Sequence, residues 1–137
     1  MVPRRTFVRH GAVAATLVSS ERMLCTARSK NELRERLGLE GPAAVDLETA
    51  AIAAVAAEYG VPYLAVRAIS DTVDESLPMD FNEFRDAKGR IDRFKVVGQA
   101  LLRPRTIPAL WNLRRRASLC SRRLADIVCG LIEGEPV

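Results

Sequence analysis

The stretch AVDLETAAIAAVAAEYGVPYLAVRAISD, residues 44–71, constrains the fold of this 137-residue chain more than any other feature. Ala43–Val45 is a short apolar run that predicts a strand. Asp46 stands where a helix cap belongs, and the helix predicted after it reaches about Tyr59. That helix is apolar on nearly every face, so it is expected to be buried. Gly60 ends it, and Pro62 keeps it from resuming. Tyr63–Ile69 is almost continuously apolar, with Arg67 its one charge, a pattern that suits a strand covered on both faces of a parallel sheet. The reading is a βαβ unit with a right-handed crossover, and the fold class is α/β.

This arrangement has a chemical consequence. Asp46 and Glu48 follow the carboxyl end of the first strand, and Ser70 and Asp71 follow that of the second. Ligands bind at that edge of open α/β sheets, so the acidic groups are expected to converge on one crevice. Carboxylates there can bind a sugar diol, hold a metal or transfer protons. Glu48 suits the first task and Asp71, beside Ser70, the last. The plainer alternative is that Asp46 only caps its helix and Asp71 only caps the next turn. A single histidine and three cysteines (Cys25, Cys120, Cys129) without C-x-x-C spacing argue against a metal site, and none is expected. Buried free thiols in a reducing compartment fit the cysteines better.

The remaining elements are simpler. Ser29-Lys30-Asn31-Glu32 reads as a capping box opening a short helix, with Leu33 and Leu37 on one face and Gly38 as its stop. Asp80-Phe81-Asn82-Glu83 can start a helical segment. Ile91–Leu102 reads as a helix with Ile91, Phe94, Val97 and Leu101 inward. Pro104 and Pro108 break the chain after it, and a last helix carries Leu110, Leu113, Ala117, Cys120, Leu124, Ile127 and Leu131 at 3–4 spacing. At the other end, the twin-arginine stretch PRRTFVRHGAVAATLVSS has the look of an export signal. Its apolar run, Gly11–Val18, is short and is followed by Glu21 and Arg22, so Val13–Val18 reads better as a strand.

The strand, helix and loop residues of 44–71 resemble the nucleoside phosphorylase/nucleosidase superfamily, which includes purine nucleoside phosphorylases and methylthioadenosine/S-adenosylhomocysteine nucleosidases. Its members carry V-[DE]-M-E-x-A-A, a helix, G-V-P and then R-x-I-S-D. Here the matching residues are Val45, Asp46, Glu48, Ala50, Ala51, Gly60, Val61, Pro62, Arg67, Ile69, Ser70 and Asp71. His10 and Gly11 fit the family's H-G-x-[IV] strand opening. The resemblance implies a three-layer αβα fold with a mixed, partly parallel sheet, in residues 1–102. It implies that Glu48 binds the ribose hydroxyls and that Leu47 replaces a methionine packing on the sugar. Asp71 would protonate purine N7, with Ser70 orienting it. Met23 and Leu24 fall where relatives place a base-stacking aromatic and a backbone contact to the purine. No cofactor is implied beyond phosphate as co-substrate. The family's Gly-rich phosphate loop, its arginine and its hydrolytic base lie in an N-terminal half with no counterpart here. The expectation is therefore a match to the C-terminal half only, without nucleosidase activity in this polypeptide alone.

Residues 103–137 form a separate basic helical tail. From Arg103 to Arg123 there are seven arginines and no acidic residue. The tail most resembles the hopanoid-associated phosphorylases, thought to remove adenine from adenosylhopane. Three readings stand: a solvated face, docking to an anionic membrane surface, and, least favoured, nucleic acid binding. The expected setting is cytoplasmic and peripheral at the inner membrane, with assembly into a homo-oligomer. The competing function class is a non-catalytic nucleoside-binding or scaffold protein.

Overall fold

The computed structural model describes residues 12–86 and 89–133. His10, Gly11 and the twin arginines lie outside them. The elements run β1 (Thr16–Ser19), α1 (Ala27–Arg36), β2 (Ala43–Asp46), α2 (Thr49–Glu58), α3 (Arg93–Leu102) and α4 (Ile107–Glu133). Short 3₁₀ segments cover Phe81–Phe84 and Pro104–Thr106. The fold is α/β, and its described residues divide between two compact units, both of which α4 enters.

The first unit draws, among the described residues, on 12–20, Leu39–Ile69 and 118–133. β1 and β2 pair in parallel, with Thr16 opposite Ala43 and Ser19 opposite Asp46. β1 thus overlaps the predicted Val13–Val18 strand, beginning only at Thr16 and ending one residue later, at Ser19. α2 packs on β1 and ends at Gly60, whose φ of +64° is the left-handed conformation a helix stop needs. The Gly60 N–H donates to Ala57 O at 3.1 Å and the Val61 N–H to Ala56 O at 2.8 Å, which satisfies the last carbonyls.

Two expectations fail here. Tyr63–Ile69 forms no strand: among the described residues the sheet has two strands, and this run joins neither edge. An apolar run becomes a strand only where a neighbour exchanges its hydrogen bonds, so the predicted second half of the βαβ unit is irregular, with Ile69 57% exposed. α2 is not buried either. Ile52, Val55 and Tyr59 are exposed, because a two-stranded sheet four residues long covers too little area for a helix apolar on every side.

The second unit is Glu21–Gly38 and Ser70–Ala117. It holds the buried apolar side chains of the described residues, Cys25, Phe81, Phe84 and Ala100. α1 begins one turn earlier than predicted. Its cap is Thr26, which exchanges hydrogen bonds with Ser29 at N3, so Ser29 is the second member of the capping box and not the first. It stops at Leu37 and Gly38 (φ +59°), as expected. Asp80 caps Phe81–Phe84 through the Asn82 N–H, and Asp92 caps α3 through Phe94 and Lys95. Packing of α3 against Phe81–Phe84 reverses the predicted inner face. Ala100 is buried, whereas Phe94 is 91% exposed and Val97 and Leu101 face solvent. Pro108 sits in the first turn of α4, where the missing N–H costs nothing. None of the described helices is long and apolar enough to cross a membrane.

Candidate functional site

The predicted site residues fall into two groups. Leu47 and Glu48 belong to the first unit; Met23, Leu24, Ser70 and Asp71 belong to the second.

In the first unit, Asp46 is the last residue of β2 and sits opposite Ser19, the last of β1. Its Oδ1 accepts from Ser19 Oγ at 2.8 Å and from the N–H groups of Thr49 at 3.1 Å and Glu48 at 3.3 Å. Its Oδ2 accepts from Arg67 Nε at 2.8 Å and from the Thr49 hydroxyl. Arg67 Nη2 also donates to Thr49 Oγ1 at 2.7 Å, closing a triangle over a buried threonine. Ser19 Oγ in turn accepts from the Ala50 N–H at 2.8 Å. Both strand ends are thereby tied to the first turn of α2. Burial pushes the Asp46 carboxyl upward, but the hydrogen bonds from Ser19, Thr49 and Arg67 outweigh it and hold the group below its ordinary value. Asp46 is therefore the cap that the plainer alternative described. Glu48 occupies the N-cap position, is exposed, and its carboxylate caps no backbone N–H. Leu47 beside it is half-buried.

In the second unit, Ser70 Oγ donates to Asp71 Oδ1 at 2.6 Å, the neighbour contact expected from the sequence. The partner of Oδ2 was not foreseen: it is the ammonium of Lys30, from the first turn of α1. Lys30 Nζ also donates to the carbonyls of Thr72 at 2.8 Å and Glu75 at 2.7 Å. The Ala27 N–H donates to Ser76 Oγ at 2.9 Å and the Leu77 N–H to Cys25 O at 2.8 Å. The loop after Asp71 is thus stitched to residues 25–30. Glu75 accepts from the Thr72 N–H and from Arg116, which together hold its carboxyl below the usual range.

Met23 is fixed by a second residue that sequence reading missed. Asn82 accepts from the Met23 N–H at 2.9 Å and donates to Met23 O at 2.8 Å, so both backbone groups of Met23 are occupied by protein. Asn82 also donates to Asp80, whose carboxyl is lowered first by the Asn82 N–H. Lys30 and Asn82 lie 41 and 59 residues from their partners, and nothing local in the sequence marks either. Among the described residues, no cluster of three or more metal-ligating side chains occurs.

A family model described as the phosphorylase superfamily matches residues 9–102, more than half of the chain. The 5′-methylthioadenosine/S-adenosylhomocysteine nucleosidase of Mycobacterium bovis is 33% identical over 69 residues, which are 50% of this chain and 26% of that protein. The same-named protein of Mycobacterium tuberculosis matches equally. The aligned stretch therefore spans about a quarter of these relatives' length. No solved structure gives a significant match.

Proposed function

The chain belongs to the phosphorylase superfamily, and from that premise we propose that it serves cleavage of the N-glycosidic bond of a purine nucleoside. Asp71 is the acid that protonates N7, so that the base departs neutral. Such general acid catalysis contributes about 10²–10⁴-fold. Glu48 accepts from the ribose hydroxyls, Leu47 packs on the sugar, and Met23 and Leu24 line the base. Phosphate or water attacks C1′ once the sugar is held in place. The substrate class is adenine nucleosides, including 5′-methylthioadenosine and lipid-linked forms such as adenosylhopane.

The observation that carries this reading is the Ser70–Asp71 contact inside a loop tied to the Met23-bearing segment, within the matched residues. The exposed Glu48, whose carboxylate caps no backbone N–H, is in keeping with it. Calorimetry of the purified chain with adenine and with 5′-methylthioadenosine tests it. Asp71→Asn is expected to weaken adenine, which can present N–H at position 7, about tenfold, the worth of one charge-assisted hydrogen bond, and to weaken 5′-methylthioadenosine, whose N7 carries no hydrogen, less. Glu48→Ala weakens only the nucleoside, because free adenine has no diol. Unchanged affinities in Asp71→Asn would sink the assignment.

One further observation favours an anionic membrane surface as partner, as a lipid-linked substrate requires. α4 exposes Trp111 among Arg114, Arg115, Arg122 and Arg123, an aromatic–arginine mixture suited to a headgroup layer. Flotation with vesicles containing phosphatidylglycerol is expected, and not with neutral vesicles. Equal flotation in both refutes the electrostatic part.

A further inference from the structure

Lys30 is the least expected member of the second unit's polar cluster. Its side chain is 12% exposed and that of Asp71 20% exposed, so the pair is largely out of water. An ammonium has three N–H donors and no acceptor. Here the three acceptors are the Asp71 carboxylate, Thr72 O and Glu75 O, which use the whole donor set and fix the group in one orientation. Ser70 Oγ takes the other Asp71 oxygen. Among the described residues each Asp71 oxygen therefore has one protein donor, and what Asp71 offers a ligand is its remaining acceptor capacity.

We infer that Lys30 is a positioning residue that holds Asp71 as an oriented, acceptor-only carboxylate, matched to a purine carrying N–H at ring position 7. This rests on the proposed role of Asp71 as the purine acid. In that reaction the Asp71 O–H bond breaks as the N7–H bond forms, and the glycosidic electron pair leaves with the base. The oxygen of phosphate bonds to C1′, or that of water, which then loses a proton to solvent. The electron pair left on Asp71 makes a carboxylate for the Lys30 ammonium to pair with, and solvent returns its proton. The pair thus favours the state just after proton transfer, when the carboxylate accepts from N7–H. Lys30 touches neither substrate nor reacting atom and acts only through Asp71.

Two base analogues separate this from a merely structural role. 9-Deazaadenine carries N–H at position 7, and 7-deazaadenine carries C–H there. By calorimetry the wild-type chain is expected to bind 9-deazaadenine at least about tenfold tighter than 7-deazaadenine, the worth of one charge-assisted hydrogen bond. Lys30→Met should bring that ratio below about threefold, with 7-deazaadenine affinity nearly unchanged. Lys30→Arg, which restores the cation, should recover part of it. If Lys30→Met does not fold, Lys30→Gln is read by the same ratio. An equal loss for both ligands, or a ratio kept in full, overturns the inference. Asp71→Asn serves as the arm for the underlying reading. If it removes the preference while Lys30→Met keeps it, only the role of Lys30 is wrong. If it leaves the preference intact, or the wild-type chain binds neither analogue, the acid assignment falls and this inference with it.

Discussion

Replacing Asp46 with alanine removes the acceptor on which five donors converge: Ser19 Oγ, the N–H groups of Glu48 and Thr49, Thr49 Oγ1 and Arg67 Nε. Loss of the helix cap alone costs about 1 kcal/mol. The Asp46 side chain is 13% exposed, so Thr49 and Arg67 lose a partner that water replaces only in part, for about another 2 kcal/mol. Arg67 is 35% exposed and keeps that figure at the low end of buried-pair values. The sum is about 3 kcal/mol, or roughly a hundredfold in a local opening equilibrium. Amide hydrogen exchange on a peptide spanning Thr49–Gly60 reads it directly. Protection should fall by up to two orders of magnitude in Asp46→Ala and by about tenfold in Asp46→Asn, which keeps one acceptor for the cap. The folded Asp46 carboxyl lies below its ordinary value, so its stabilisation is complete above about pH 4 and is lost as the pH falls through the folded value. After correction for intrinsic rates, the gap between wild type and Asp46→Asn should therefore close in acid. Less than a threefold change at pH 7, or a gap that widens in acid, would refute the reasoning.

Asn82→Ala unclasps both backbone groups of Met23 and should destabilise the second unit by about 2 kcal/mol, measured by urea denaturation followed through α3 exchange. Thr26→Ala removes the cap of α1 and should cost about 1 kcal/mol by the same measurement; no change would mean Ser29 caps alone. Burial pushes the Cys25 thiol up, so iodoacetamide at pH 8 should modify the exposed Cys129 first and Cys25 last, as followed by mass spectrometry. Early modification of Cys25 would contradict its burial.

What could be read from the sequence was local. The strand at Ala43, the capping Asp46, the glycine stops at Gly38 and Gly60 and the Ser70–Asp71 contact all depend on residues one to four apart, where backbone geometry and side-chain reach are set by the chain itself. The linked motifs around Glu48 and Asp71 carried the family as well. Burial was misread wherever it depended on a partner. Tyr63–Ile69 has the composition of a central strand, but a strand needs a neighbour's hydrogen bonds, and composition does not supply one. Phe94 and Val97 have helical spacing, yet the face of α3 that packs is chosen by Phe81–Phe84.

The sequence by itself thus determined the strand ending at Asp46, the helix stops at Gly38 and Gly60, and the positions of the carboxylates Asp46 and Asp71 just past apolar runs. Tertiary structure decided what holds those carboxylates: Arg67 and Ser19 on Asp46, Lys30 on Asp71, and Asn82 on the backbone of Met23. The physical reason is range. Capping and turn formation are governed by torsions a few residues long, whereas an ion pair across 41 residues exists only after loop closure has brought its members within hydrogen-bond reach.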